Sequence, residues 1–235
     1  MSYQTGYNPA SVYNSTVDSR VAFIRKTYVH LAGAITAFVA LSCALYVSGV
    51  DEAIFGALGA SRYSWLLVLG AFSIVGYGAT ALARSPRGVG TQYLGLGLYT
   101  IAEALIFAPF LFIAARFYPG VLAPAAIITL TTFMGLTGYV LIYNKDFSMF
   151  RGALVACSFA ALGLIVVSVL FGFQLGTWFS LVMILFAVGA ILYSTSNVLK
   201  YYGEDQYVAA ALDLFAAVAL LFWYVLRLLM ALQRR

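Results

Sequence analysis

The chain has 235 residues, of which 63% are hydrophobic and only 9% charged, against roughly 25% charged for a soluble globular protein. That balance excludes a soluble enzyme and indicates an all-α integral membrane protein with no room for a separate soluble catalytic domain. The formal charge of +5 comes from Lys and Arg dispersed among loops, with no basic run of the kind that follows a phosphate backbone, so nucleic acid is not a partner.

Residues 1–26 hold Asn, Ser, Tyr and Gly without a long apolar run and close on Arg20, Arg25 and Lys26; they are read as a solvated, disordered cytoplasmic tail that contributes little to packing. Apolar stretches long enough to span follow at Thr27–Val50, Trp65–Leu82, Tyr93–Ala114, Val121–Tyr143, Ala153–Phe171, Thr177–Leu199 and Tyr207–Met230. The transmembrane domain is thus expected over 27–230, with 231–235 as a short basic C-terminus.

Eight Lys and Arg lie on the tail side (Arg20, Arg25, Lys26, Arg84, Arg87, Lys145, Arg151 and Lys200), and four on the other (Arg62, Arg116, Arg234 and Arg235). The asymmetry predicts a cytoplasmic N-terminus and an external C-terminus. A re-entrant last segment is the alternative, because that span carries Asp213. No internal repeat is evident, which weighs against an inverted-repeat transporter.

Ionisable groups inside the bilayer cost a few kcal/mol unless paired, protonated or hydrated. Glu103 sits in mid-span, six residues before Pro109, and two readings stand: a protonated carboxyl bonded to a neighbouring helix, or a group on an ion or proton path. Asp213 lies six residues into the last span, and Ser194-Thr195-Ser196-Asn197 lies a similar distance before the end of the previous one. Across the short connection they should face each other, either as a polar clasp between helices or as a titrating gate. His30 falls just inside the first span beside Arg25 and Lys26, where an interfacial histidine is favoured over a pH sensor. Arg227 should snorkel towards headgroups. Cys43 and Cys157 lie in apolar stretches and form neither a disulfide framework nor a metal site.

One His, no G-x-S-x-G elbow, no Lys in the last span and no complete Gly-rich phosphate loop after Gly88-Val-Gly90 argue against an enzyme, a retinal protein or a nucleotide-binding protein. No cofactor is expected beyond calcium as a permeant ion. The bilayer is the expected partner, and the oligomeric state stays open.

Several short segments, in order, carry a resemblance: Gly138-Tyr139, then Lys145-Asp-Phe-Ser148, then Ile191-Leu-Tyr-Ser-Thr-Ser196, then Ala211-Leu-Asp-Leu-Phe215 with Leu226-Arg-Leu-Leu229. From about Arg25 to Arg227 the chain resembles bacterial members of the Bax inhibitor-1 (transmembrane BAX inhibitor motif) family. The resemblance implies seven helices, the last wrapped by the other six, and a proton-sensitive calcium leak controlled by two aspartates on the last two helices. One of these matches Asp213; the other falls at Ser194, because the family's Tyr-Asp-Thr is Tyr193-Ser194-Thr195 here. Without the second carboxyl there is no like-charge coupling at the site. The expected function is a calcium leak with Asp213 as a weak metal ligand, Glu103 and Ser194 on the ion path, and Thr195, Ser196 and His30 in support. The alternatives are a regulator of a membrane-anchored ATP-dependent protease, which bacterial relatives resemble, and, third, a proton-coupled transporter.

Overall fold

Each of the seven expected spans is a helix in the computed structural model, which describes residues 12–59, 61, 63–86 and 88–234. The helices are α1 (Val17–Val47), α2 (Val50–Gly59), α3 (Ser64–Ala83), α4 (Val89–Phe117), α5 (Leu122–Tyr143), α6 (Phe150–Phe171), α7 (Thr177–Lys200) and α8 (Tyr207–Gln233). All but α2 are long and apolar enough to cross a bilayer. At about 1.5 Å per residue the 27 residues of α8 reach about 40 Å, enough for a full span without the re-entrant alternative. Arg62, Arg87 and Arg235, counted for topology, lie outside the described residues, as do residues 1–11.

Three expectations need correction. First, α1 starts at Val17 rather than Thr27, so residues 17–26 are helix and not free tail. Thr16 caps that start, its Oγ1 accepting from the Ser19 N–H at 3.3 Å, and Asp18 complements the helix dipole in the first turn. A 3₁₀ turn, Val12–Asn14, precedes the cap, and Val12 is fully buried. Second, the connection between the first two spans holds a helix, α2. Its ten residues are too short to cross, and it packs on α4 and α1, with Phe55 5.4 Å from Phe112 between ring centres. Third, α8 runs on to Gln233, so much of the supposed C-terminal tail is its last turn.

The core is organised around α8, which packs against α7, α1, α5, α4 and α3. Its Ala-rich sequence explains the position, since small side chains let neighbouring backbones approach where water supplies no hydrophobic drive. Aromatic rings fill the remaining space. Trp223 of α8 stacks on Phe110 at 4.2 Å and meets Phe107 edge-on at 4.8 Å, while Phe38 of α1 meets Phe107 at 5.2 Å. On α1 a stripe of Phe23, Thr27, Leu31, Ala34 and Phe38 is buried, the spacing of one helical face. The expected wrapping by six helices differs at α6, which packs mainly on α7 and buries only Ser168.

The tightest crossing joins α3 and α4. A Cβ on Gly95 would lie 2.4 Å from the Ala83 nitrogen and 2.5 Å from the Ala79 carbonyl oxygen, so only glycine fits at this spacing. The contact fixes the last turn of α3, and the next residue is Arg84.

Candidate functional site

The starts of α1, α4, α6 and α8 and the ends of α3, α5 and α7 meet at one end of the bundle, and the ion pairs Arg84–Asp213 and Lys200–Asp146 lie there. Asp213 is the centre. It projects from the second turn of α8 with its side chain 23% exposed, and Arg84 Nη2 reaches across from the end of α3 to Oδ2 at 2.7 Å and Oδ1 at 3.0 Å. The Tyr202 hydroxyl, from the connection between α7 and α8, donates to the same Oδ2. One carboxylate is therefore held by a cation and a phenol from two different parts of the chain.

The electrostatics of the two donors fit this arrangement. Burial pushes the Tyr202 phenol well above its ordinary value and the Asp213 charge pushes it further, against an opposing pull from Arg84; it stays protonated and can only donate to the carboxylate. Burial opposes the charge on Arg84, but attraction to the Asp213 carboxylate outweighs it and the guanidinium is held more firmly charged than usual. Arg84 is 53% exposed, so solvent screens the pair and its strength is that of a partly exposed bridge, about 1 kcal/mol.

Of the residues expected to join Asp213, Ser194 is half-buried and forms no hydrogen bond to it; the carboxylate is occupied by Arg84 and Tyr202 instead. Thr195 is fully buried and its hydroxyl has no partner in hydrogen-bonding geometry, as is also true of the hydroxyls of its neighbours Tyr28 of α1 and Thr137 of α5. Ser196 belongs to a separate latch. It accepts from the Phe147 N–H at 3.0 Å and donates to Asp146 Oδ1 at 3.5 Å. Asp146 also accepts from the Ser148 N–H at 2.8 Å and the Tyr201 hydroxyl at 3.2 Å, and lies 3.5 Å from the Lys200 ammonium. Burial raises this carboxyl, but the Ser148 hydrogen bonds, Lys200 and Tyr201 together hold it below its ordinary value.

Glu103 is buried in mid-α4. Tyr99, one turn earlier, lies within electrostatic reach of both Glu103 and Asp213, so the two carboxyls share a neighbour although neither touches the other. α4 continues through Pro109 without a break. His30 is drawn into contacts beyond its own helix: Nδ1 lies 2.7 Å from the Lys26 carbonyl and Nε2 2.6 Å from the Tyr93 hydroxyl. A carbonyl can only accept, so Nδ1 carries the proton. The Tyr207 ring stands 5.0 Å away, and the histidine thereby ties α1 to α4 and α8 rather than joining the Asp213 cluster. At the far end Arg227 donates to the Leu175 carbonyl at 2.8 Å and lies 5.6 Å over Phe179, an internal contact in place of the expected reach to headgroups.

Reading the sequence missed Arg84, Tyr202 and Asp146 as site residues. Arg84 counted only as a topology charge, yet a cation at the same depth is one of the few ways to hold a half-buried carboxylate. Arg84, closing a span on the same face, was the available signal; that α3 lies beside α8 was not.

Residues 20–235 match the family described as "Inhibitor of apoptosis-promoting Bax1". The chain is similar to Bax inhibitor 1 of Schizosaccharomyces pombe, 27% identical over 97% of this chain and 88% of the relative, and to Protein LIFEGUARD 3 of Arabidopsis thaliana, 28% identical over 92% and 86%. An uncharacterized protein, PA2604, of Pseudomonas aeruginosa is 35% identical over 46% of this chain, and that match spans about half of the relative's length, 49%. No solved structure matches.

Proposed function

The chain belongs to the family of inhibitors of apoptosis-promoting Bax1, and on that premise we propose that it is a cation leak of the bacterial inner membrane, passing calcium, with its own arginine seated on the ion's ligand. The observation that carries this reading is the contact between Arg84 Nη2 and both oxygens of Asp213. Hard oxygen donors suit calcium. Here the charged donor pair lies on the central helix, at the end where seven helix termini converge, and is already filled by a guanidinium.

Entry of a divalent cation requires Arg84 to leave. The pair is weak enough for this: a partly exposed bridge contributes about 1 kcal/mol, and Arg84 has a long side chain with one face to solvent. Glu103, deeper in α4, offers the next oxygen ligand along the same line, with Tyr99 between.

Calcium flux into liposomes containing the purified protein tests the reading. Asp213→Asn keeps the shape of the side chain but removes the anion, and flux should fall at least tenfold. Arg84→Gln empties the ligand of its internal cation and flux should rise about fivefold. Ser194→Asp sets a second carboxyl near the first, and because two close carboxyls disfavour double ionisation, flux through that variant should become more pH-dependent near neutrality. Flux indifferent to both Asp213→Asn and Arg84→Gln would remove the leak reading.

A further inference from the structure

The turn Val12–Asn14 lies ahead of every span and has no evident part in the bundle, yet Val12 is fully buried while Tyr13 beside it is 46% exposed. The turn packs on α1 and α7. The Val12 N–H donates to the Tyr202 carbonyl at 2.9 Å. Its own carbonyl accepts from the Ser15 N–H at 3.1 Å and the Ser15 hydroxyl at 2.7 Å, which closes the turn, and the Thr16 cap couples it to α1 without slack. Arg20 secures it from the helix side, donating to the Tyr13 carbonyl with its guanidinium 5.2 Å from the centre of that ring.

Tyr202 is therefore held at both ends. Its carbonyl receives Val12 and its hydroxyl binds Asp213. The residue sits in the six-residue connection between α7 and α8, whose own support includes the Gln206 side chain accepting from the Gly203 N–H at 3.0 Å.

We propose that residues 12–16 form a strap that holds the α7–α8 connection, and with it the Tyr202 hydroxyl, closed over Asp213. Lifting the strap exposes an apolar side chain, leaves the Tyr202 carbonyl without its donor and frees the connection to carry the phenol away. The carboxylate then keeps only its screened bridge to Arg84. The consequence for flux rests on the cation-leak reading; the strap itself does not.

The test uses full-length protein in lipid nanodiscs and reads amide hydrogen exchange across residues 201–206, with calcium flux measured in liposomes alongside. Val12→Pro removes the donor while keeping the apolar bulk, Val12→Asp places a charge in the buried seat, and Val12→Ile is the conservative control. Loss of one neutral hydrogen bond corresponds to about 3–10-fold faster exchange, expected in the first two variants and absent in the third, with flux raised by a similar factor. Unchanged exchange in both Val12→Pro and Val12→Asp overturns the strap whatever the flux. Faster exchange in a protein that conducts, without higher flux, overturns its closing role. Faster exchange when neither parent nor variant conducts supports the strap and removes the leak reading alone.

Discussion

α6 and α8 are near equals by composition and opposites by position. Both are apolar throughout, and α6 is the more apolar of the two, yet α8 buries fifteen of its residues and α6 one. In water the more hydrophobic helix would be the more buried. In a bilayer lipid tails solvate apolar side chains as well as other helices do, so the central place goes to the helix whose small residues pack closely and whose polar groups need partners. α8 has both, an Ala-rich first half and Asp213. α6 faces outward, with an open apolar groove against α7 lined by Leu154, Cys157, Ala161, Trp178, Val182 and Phe186.

The sharpest way to break this contrast is with paired glycines. Gly95→Leu drives a side chain into the backbone of α3 at a distance no real Cβ occupies; overpacking of this kind costs about 1–3 kcal/mol and should also displace Arg84 from Asp213. Gly163→Leu on α6 enters open space and should leave stability within about 0.5 kcal/mol. Thermal unfolding in detergent, followed by intrinsic fluorescence, compares them directly. Equal losses would show that α6 is packed as tightly as the centre.

Phenylalanines give the next effect. Phe215 of α8 is 2% exposed and Phe159 of α6 is 75% exposed. Phe215→Ala should cost on the order of 2 kcal/mol, the packing loss that remains when transfer from water does not apply, and Phe159→Ala next to nothing. The same unfolding assay distinguishes them.

The smallest effect concerns one of the ties at the start of α6, the latch of Asp146 to Ser196, Lys200 and Tyr201. Because the folded carboxyl titrates below its ordinary value, its contribution is fully present above the unfolded value, about 3.9, and is lost as pH falls through the lower folded value. Protection of the Phe147 amide, taken relative to the intrinsic exchange rate at each pH, should therefore fall only in acid, modestly, while that of α8 amides does not change. Asp146→Asn should produce the same loosening at neutral pH.

These contrasts also show how far the primary structure reaches. Seven spans, their order and their approximate ends could be read from hydropathy because each is a local property of about 20 residues. Asp213 and Glu103 stood out because a carboxyl in an apolar run is conspicuous without any fold. The start of α1 was misplaced since the absence of apolar residues before Thr27 was taken as absence of structure, whereas Thr16 and Asp18 were capping signals in plain view. α2 was missed because ten residues between spans read equally well as a loop.

What the sequence by itself determined is the class of protein, the number of crossings and the family to which they belong, all carried by local composition and short ordered segments. Only the tertiary structure decided who meets whom. Arg84 and Asp213 are 129 positions apart, Val12 and Tyr202 are 190 apart, and nothing local to either end encodes the encounter. Such contacts exist because Gly95 lets α3 lie against α4, and because α8, small-faced and carrying a charge, takes the centre and brings its carboxylate within reach of residues from three other elements.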